Sequence, residues 1–448
     1  MSTCACNRSA FSDMTPTQVS ILDIPDQPKR RDLILNKGED MCYYSPASGC
    51  YGILRMGLMP PETHVLFVAP MGCGRHGMIG SYFYKNTNER IHALFLTEQD
   101  MVLGTHIEQV YQAGMQLIER FDMRALTIIY SCVDDLLGSD YDMVASDIEE
   151  QSGISVGVAA MNPIRIDSKL PPVCRAFRTV YRYIKQAPRD KEKLLLSMGL
   201  YANIAAESEL HEVLASRGYK IMDFSQCETF DEFCDLGRCK LALVMGDAAT
   251  IAADDLQKRT GMPYERFPVV MERGQTIAAY KFLEELLDED FNWELYEKRA
   301  DAKLEEILGE NGLAGKTVNI GETHPYSTFE LAHMVTQWGG TVNEIYTAGI
   351  QKRDLEHLAW LKEHAPQIKI MPPCARDSAG LPDRDKIADI GIGMDAAYYS
   401  STKAYVPLDI EKLDFGFEGE VTLAKALMNP EILDESFEQV FMHSKLVI

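Results

Sequence analysis

The sequence predicts an α/β fold of three Rossmann-like domains, with parallel sheets flanked by helices and a functional site in the cleft between domains. Strand-like apolar runs alternate with helical patterns along the whole chain, which is typical of parallel α/β domains. At 448 residues, the chain exceeds what a single hydrophobic core usually serves, so two or three domains are expected. We place the domains at residues 1–187, 188–313 and 314–448.

The first predicted domain contains two apolar runs, 65–69 and 126–130, that are typical of buried parallel strands. Cys73 and Cys132 follow these runs, so both thiols should lie at the carboxyl ends of strands, where open α/β sheets place their sites. A third cysteine, Cys50, lies upstream in a segment with glycines on both sides. The sequence therefore indicates three thiols in strand-end or glycine-rich segments of one domain.

The second and third predicted domains continue the alternation of strands and helices. In the second domain we expect strands at 194–196 and 241–245, a helix at 209–216 and an acidic helical connection over 276–308. In the third domain we expect strands at 316–321 and 387–392, a helix that begins with a capping box at 327–330, and a helical tail from Val421.

The composition excludes two classes of partner. The net charge of −23 repels phosphate backbones, and no concentrated Lys/Arg stretch offsets it, so nucleic acid is not an expected partner. No run of roughly 18 or more apolar residues appears, which argues against a membrane span. The 11 cysteines are an odd number and no secretory leader is recognisable, so we expect a cytoplasmic protein without a disulfide framework.

The glycines beside Cys73 point to iron–sulfur chemistry. Gly72 and Gly74 remove the Cβ atoms that would keep a bulky inorganic group from the backbone. Iron–sulfur clusters need such an arrangement because thiolates bind the iron and nearby N–H groups hydrogen-bond the sulfides. The alternative is that the three cysteines are small buried hydrophobic residues, as free cysteines commonly are. No Cys-x-x-Cys pair occurs, so compact zinc-ribbon and ferredoxin patterns are absent.

The order of the three cysteine motifs, Gly-Cys-Tyr, Gly-Cys-Gly and Ser-Cys-Val, at separations of 23 and 59 positions, resembles the component 1 proteins of nitrogenase and its relatives. The resemblance covers nearly the whole chain, through to the closing Phe-Gly-Phe-Glu-Gly at 415–419. It implies that Cys50, Cys73 and Cys132 bind an iron–sulfur cluster, either [4Fe–4S] or a larger P-cluster type, at a subunit interface. Cys42 is the alternative first ligand in place of Cys50.

Two cofactor ligands of the molybdenum-type catalytic subunit have no counterpart in this chain. That subunit has a cysteine at the end of the second domain's strand and a histidine just before the closing Gly-Phe motif, whereas this chain has Met245 and Asp414 in these regions. We therefore expect a small-molecule substrate other than N2, of the tetrapyrrole or thioether type that relatives lacking those ligands reduce. The strand-end residues expected to line the cleft are Met245, Asp247, His324, Cys374 and Arg376. Cys374 is also a candidate ligand for a second metal centre.

The segment Gly315-Lys316-Thr317 resembles the end of a P-loop but fails its requirements. Glu310 occupies the position of the first glycine, and the segment precedes its strand instead of following one. We therefore expect no nucleotide on this chain. The resemblance implies that a separate ATP-dependent iron–sulfur reductase uses the ATP.

The resulting hypothesis is the catalytic subunit of an anaerobic, two-component oxidoreductase that takes electrons through its cluster and reduces a small molecule. Because three thiolates leave a cubane one ligand short, a second component 1-type subunit, identical or paralogous, should complete the site. One alternative is a non-catalytic scaffold for metal-cofactor assembly with the same fold, and another is a redox-sensing or structural protein whose cysteines bind zinc. Cys227, Cys234 and Cys239 are spaced too loosely for a zinc pair, so we expect them to be buried structural thiols.

Overall fold

A computed structural model describes residues 17–28, 35, 52–71, 88–162, 168–188, 193–373, 375–408 and 412–435. The contacts within the chain divide it into two compact units. The first unit consists of Cys50–Asn203 and Leu214–Pro268, and the second of Met1–Gly49, Ile204–Val213 and Val269–Ile448. The division into three domains at residues 187 and 313 stays a prediction.

The described strands are short, as is usual for α/β proteins. In chain order they are β1 (Val19–Ser20), β2 (Thr63–Pro70), β3 (Ile91–Leu96), β4 (Ala125–Ser131), β5 (Ser155–Met161), β6 (Lys193–Met198), β7 (Asn203–Ile204), β8 (Tyr219–Met222), β9 (Leu241–Val244), β10 (Tyr264–Arg266), β11 (Val318–Ile320), β12 (Glu344–Tyr346), β13 (Lys369–Met371), β14 (Ile390–Ile392), β15 (Ala404–Val406), β16 (Lys412–Leu413) and β17 (Glu431–Ile432).

Helices alternate with these strands. They are α1 (Gly52–Gly57), α2 (Glu98–Leu103), α3 (His106–Arg120), α4 (Cys132–Leu137), α5 (Tyr141–Ser152), α6 (Pro172–Tyr181), α7 (Glu209–Ala215), α8 (Phe230–Cys234), α9 (Thr250–Thr260), α10 (Arg273–Leu287), α11 (Glu294–Leu308), α12 (Thr328–Gln337), α13 (Leu355–His364), α14 (Met394–Tyr399) and α15 (Gly416–Met428). Within the described ranges, no helix has the length and apolar character that crossing a bilayer requires.

The first unit contains two four-stranded parallel sheets. The first sheet has the strand order β3-β2-β4-β5, and the second has the order β10-β9-β6-β8. Every pairing in both sheets is parallel. The apolar runs at 65–69 and 126–130 lie within β2 and β4. The strands predicted at 194–196 and 241–245 correspond to β6 and β9.

Helices cover both faces of the first sheet, which explains why β2 and β4 are buried at nearly every position and mostly apolar. Leu66 of β2 packs in one core with Val144 of α5, whereas its neighbour Val65 packs in another core with Phe177 of α6. Successive side chains of a strand point to opposite faces, so a sheet covered on both sides needs continuous apolar runs. This arrangement confirms the predicted α/β class with parallel sheets flanked by helices.

The second unit contains a seven-stranded sheet, here called the third sheet, with the order β1-β13-β12-β11-β14-β15-β17. The five inner strands are parallel, and the two edge strands β1 and β17 are antiparallel to their neighbours. The strands predicted at 316–321 and 387–392 correspond to β11 and β14.

Two predicted helical features differ in detail. The acidic stretch over 276–308 is helical but divides into α10 and α11, because α10 ends at Asp288 in the left-handed conformation with φ 53°. The capping box at 327–330 forms only in part. The Ser327 hydroxyl accepts the Glu330 N–H at 3.1 Å, but the Glu330 carboxylate accepts the N–H groups of Met271 and Glu272 at 2.6 and 2.8 Å.

Candidate functional site

Cys132 begins α4 immediately after β4, at the carboxyl edge of the first sheet. Its thiol is free and partly exposed. Strands β2 and β4 pair in parallel, so they end at the same edge. Cys73 follows the end of β2 by three positions in the sequence, but Cys73 and Cys50 lie outside the described residues.

The boundary between β2 and β4 is the topological switch point of the first sheet. The chain proceeds from β2 outward to β3 on one side, and from β4 outward to β5 on the other. Open α/β sheets bind their ligands in the crevice at such a point, outside the carboxyl ends of the strands. Cys132 therefore lies where a first-sheet ligand is expected.

A buried carboxylate, that of Asp134, stabilises the turn that carries Cys132. Asp134 is fully buried and accepts hydrogen bonds from the Tyr141 hydroxyl at 2.6 Å and the Ser131 hydroxyl at 3.1 Å. Burial raises the pKa of Asp134 above its ordinary value, and the two hydroxyl donors oppose that shift. This network fixes the start of α4 and hence the backbone position of Cys132.

A cavity of about 260 Å³ lies next to α4, which contributes Asp135 to its lining. Its lining consists of Tyr130, Asp135, Ala160, Ser168, Lys169, Leu170, Pro172 and Arg175. Arg175 donates to the Tyr130 hydroxyl at 3.2 Å and to Asp142 at 2.9 Å. Asp135 accepts a hydrogen bond from Asn162. The surroundings of α4 are thus polar on the cavity side.

The other described cysteines of the first unit have different surroundings. Cys227, Cys234 and Cys239 are buried in the apolar core, which confirms the prediction of structural burial. Burial raises the pKa of the Cys227 and Cys239 thiols to about 12, so they stay protonated and poor metal ligands at neutral pH. Cys174 in α6 is partly exposed, and burial raises the pKa of its thiol as well.

Within the described ranges, no group of three or more His, Cys, Asp or Glu side chains is arranged to hold a metal ion. Two of the three predicted ligands lie outside those ranges. The donor set itself suits an iron–sulfur cluster, because clusters are held by Cys thiolates. Cys132 is a free, accessible thiol on an anchored turn, as such a ligand must be.

The second sheet places Met245 and Asp247 in different environments. Met245 follows β9, is buried, and donates its N–H to the Met198 carbonyl at 2.9 Å. Asp247 is exposed and forms a 3.7 Å ion pair with Arg266. The backbone fills the crevice between β6 and β9, because a Cβ at Gly246 would overlap the Gly199 carbonyl oxygen. The two candidates therefore do not converge on one pocket within this unit.

The third sheet places His324 in the loop after β11, at the switch point where β11 meets β14. The ring is buried, and neither ring nitrogen has a hydrogen bond of ordinary geometry to a residue that the structure describes, although the backbone of Gly321 and Tyr326 lies close enough to oppose the lowering of its pKa. Burial lowers the pKa of His324 to about 4, and the nearby charge of Arg353 lowers it further. The ring is therefore neutral at pH 7.

Two carboxylates join the loops around His324. Asp395, at the start of α14, is buried and accepts the Thr323 hydroxyl at 2.6 Å and the Glu322 N–H at 2.7 Å. Glu322 accepts the Ala348 N–H at 2.8 Å from the loop after β12. Loops from three neighbouring strands, β11, β12 and β14, are thus held together, and His324 belongs to the loop after β11.

Of the remaining sequence candidates, Cys374 lies outside the described residues, and only the backbone of Arg376 is described, at the start of a 3-10 helix. Sequence reasoning missed Asp395 and Arg353. Asp395 follows β14 by three positions, so the strand-end rule that selected His324 would also have selected it. Arg353 follows β12 by seven positions, and no local signal marks it.

Comparisons with known proteins place this geometry in a family. The model of the family "Nitrogenase component 1 type Oxidoreductase" matches residues 52–430. Curated protein sequences contain no match to the chain.

Among solved structures, the chain is similar to "Nitrogenase Cp1 at pH 6.5" with a TM-score of 0.59 and 15% identity, over 93% of this chain and 92% of the other. It is also similar to "Nitrogenase Cp1 at pH 5" with a TM-score of 0.62 and 16% identity, over 96% and 95%. At these identities the likeness concerns the fold. The family match spans most of the chain, so this protein belongs to the nitrogenase component 1 type oxidoreductases.

Proposed function

We propose that this chain is the catalytic component of a two-component reductase. It takes single electrons from a separate ATP-dependent iron–sulfur protein and delivers them to a small-molecule substrate other than N2. The observation that carries the proposal is the accessible Cys132 thiol at the switch point of the first sheet, in a chain of this family. The protein is expected to be cytoplasmic and to work without oxygen.

Cys50, Cys73 and Cys132 are the proposed ligands of an iron–sulfur cluster, of the [4Fe–4S] or P-cluster type. When bound, such a cluster supplies one-electron transfer. The role of Asp134 is to hold the Cys132 turn in place through its bonds to Ser131 and Tyr141. Support for Cys132 over the buried thiols is its exposure, since a ligand must be deprotonated and reachable by iron.

Exposed apolar side chains on α2 and α4, the helix that Cys132 begins, support the two-component arrangement. Large apolar side chains are exposed there, with Val102 at 84%, Leu136 at 72% and Leu103 at 64%. A hydrogen bond of 2.9 Å joins the His106 ring, at the start of α3, to the Ser139 hydroxyl, which follows α4. Contiguous exposed apolar surface is typical of docking sites. We assign this face to a second component 1-type subunit or to the reductase, both of which the proposal requires.

The substrate is proposed to be of the tetrapyrrole or thioether type. Support comes from the residues Met245 and Asp414, which stand in the regions where the molybdenum-type subunit has its cofactor ligands. The substrate-site candidates remain Met245, Asp247, His324, Cys374 and Arg376, with Cys374 as a candidate ligand of a second metal centre. No nucleotide site is proposed on this chain.

The first test is metal analysis after anaerobic purification. We expect iron and acid-labile sulfide in the wild-type protein, loss of both in Cys73→Ala and Cys132→Ala, and retention in Cys174→Ala and Cys227→Ala. Cys174 is the matched control because its thiol is also free and partly exposed in the first unit. Zinc in place of iron, or equal iron loss in all four variants, would contradict the proposal.

The second test separates the enzyme from a cofactor-assembly scaffold. Substrate reduction should require an added ATP-dependent iron–sulfur reductase, and the isolated chain should not bind ATP. A scaffold would instead transfer its metal cofactor to an acceptor protein without turnover. Sustained reduction with ATP and no second component would also contradict the proposal.

A further inference from the structure

The cavity beside α4 lies within the first unit, at the carboxyl ends of β4 and β5. Tyr130 and Ala160, near the ends of these strands, line one part of it, and Pro172, the first residue of α6, lines another. Open α/β sheets bind ligands outside the carboxyl ends of their strands. The lining contains none of the substrate-site candidates predicted from the sequence. Its side chains determine what kind of ligand fits.

Two cationic side chains, those of Lys169 and Arg175, line the cavity. Lys169 is exposed and forms no hydrogen bond or ion pair with a residue that the structure describes. Among the described lining residues, Asp135 alone carries a carboxylate, and it accepts a hydrogen bond from Asn162. The lining therefore has a net positive charge, in a chain whose net charge is −23. A local positive charge in so acidic a chain favours an anionic ligand.

The Arg175 guanidinium is held in one orientation by its neighbours. It lies over the Tyr130 ring, 5.7 Å from the ring centroid, and donates to the Tyr130 hydroxyl at 3.2 Å and to the Asp142 carboxylate at 2.9 Å. A guanidinium has more N–H donors than these two contacts use, and the side chain is 23% exposed. Because the group is already ordered, it loses little conformational entropy when it binds a ligand as well.

Apolar groups form another part of the lining, namely Ala160, Leu170 and Pro172. Small-molecule sites commonly combine such an apolar lining with a few polar groups that fix the orientation of the ligand. An inorganic anion such as phosphate is strongly hydrated and gains nothing from apolar neighbours. An organic anion with a short hydrocarbon chain would contact the cationic and the apolar groups together.

We propose that this cavity binds a small organic carboxylate, with the Arg175 guanidinium and the Lys169 ammonium as its charged partners. A guanidinium presents donors in a planar arrangement that suits a carboxylate, and the ammonium adds a mobile positive charge. The inference rests on the proposed function in one respect, since there the carboxylate belongs to the substrate. The lining residues Tyr130 and Asp135 lie on either side of the proposed cluster ligand Cys132 in the sequence.

The test is isothermal titration calorimetry of butyrate with the anaerobically purified full chain, at constant ionic strength. We expect saturable binding of butyrate but not of butyramide, which has a similar shape without the charge. Arg175→Gln should weaken butyrate binding about tenfold or more, since hydrogen bonds to charged groups are strong. Lys169→Gln should weaken it by a smaller factor, because Lys169 is exposed. Arg178→Gln is the matched control, because Arg178 also belongs to α6, has one ion pair of 3.5 Å and lies outside the lining.

A second variant separates a binding role of Arg175 from a structural one. Asp142→Asn removes the charge that is paired with the guanidinium at 2.9 Å, so butyrate affinity should rise severalfold. If Arg175 only held α5 against α6, this substitution would not increase the affinity, and that result would contradict the inference. Circular dichroism of each variant without ligand shows whether it is folded, and Arg175→Lys, which keeps the charge, should retain part of the affinity.

Unchanged butyrate affinity in Arg175→Gln, or no saturable binding to the wild-type protein, would overturn the inference. Binding of inorganic phosphate as tight as that of butyrate would overturn the assignment to an organic carboxylate. Iron is measured on the same samples: missing iron with intact butyrate binding contradicts only the proposed function, and intact iron without butyrate binding contradicts only this inference.

Discussion

The second and third sheets use glycine at their switch points in opposite ways. Between β6 and β9, Gly199 and Gly246 bring two backbones so close that no side-chain atom fits between them. Between β11 and β14, Gly321 and Gly393 leave room for the Asp395 carboxylate, which fastens the loops from the side. The same topology therefore gives a closed edge in one sheet, and in the other an edge where the His324 ring has no hydrogen bond of ordinary geometry to a described residue.

A topological switch point therefore allows a ligand site but does not by itself create one. The residues around it determine whether space and free hydrogen-bonding groups are present. At the edge of the second sheet, the backbones of Gly199 and Gly246 pack against each other and leave no space for a ligand between β6 and β9. At the edge of the third sheet, by contrast, the Asp395 side chain joins the loops through its hydrogen bonds to Glu322 and Thr323. Substitutions at the two edges should therefore have different consequences.

The largest effect is expected at the closed edge. In Gly246→Ala the new Cβ would overlap the Gly199 carbonyl, and backbone cannot move aside cheaply, so we expect the free energy of unfolding to fall by about 3–4 kcal/mol. Urea unfolding followed by circular dichroism measures this change. Gly104→Ala is a useful reference for the glycine conformational term, because nothing lies near its Cβ position. A loss below that of the reference would break the description of a closed edge.

The next-largest effect is a pH dependence of the folding stability, caused by His324 at the edge of the third sheet. Burial holds the pKa of His324 at about 4, below its ordinary value of 6.5. The buried neutral ring is therefore compatible with folding above pH 6.5, and up to about 3 kcal/mol of stability should be lost as the pH falls from 6.5 to 4. Comparing urea midpoints of wild type and His324→Phe between pH 7.5 and 4 isolates this contribution. Identical pH dependence in the two proteins would contradict it.

A smaller loss is expected for Gly321→Ala. Its Cβ would overlap the Asp395 carboxylate, which is a side chain and can turn away at the expense of its hydrogen bonds to Thr323 and Glu322. We expect about 2 kcal/mol of destabilisation in urea unfolding. If Gly321→Ala costs more than Gly246→Ala, the proposed difference between the edges is wrong.

The smallest effect is expected for Asp247→Asn. Asp247 is exposed, and its ion pair with Arg266 is 3.7 Å long, so the unfolding free energy should change by no more than about 0.5 kcal/mol. Thermal unfolding at low and high salt measures it. A large destabilisation would mean that the Asp247 side chain helps to stabilise the backbone packing between β6 and β9.

The sequence predicted the buried strands well, because strands covered on both faces are mostly apolar, as β2, β4 and β6 are. It predicted side-chain hydrogen bonds poorly where the partner lies far away in the sequence. Glu330 has the position of a capping-box residue, yet its carboxylate bonds to the backbone of Met271 and Glu272, 59 and 58 residues away. No sequence pattern around Glu330 predicts a contact with residues so far away.

The candidate site shows the same limit. His324 was predicted from its position after β11, but Asp395, which is bonded to the same loop, follows β14, and the sequence could not place these two strands side by side. The strand order brings β11, β12 and β14 together. Only that order shows which strand-end residues share an edge.

The antiparallel pairing of β1 with β13 has a consequence for synthesis of the protein. Val19 pairs with Ile370, so the earliest described strand has its partner about 350 residues later. At about 5–20 residues per second, the ribosome delivers that partner roughly 20–70 s after β1 emerges. Synthesis of the first unit is complete once Pro268 has been added. The first unit can therefore fold before the partner strand of β1 has been made. Closing the edge of the second unit's sheet should be among the last steps of folding, and its amides among the later ones to gain protection in pulsed hydrogen exchange.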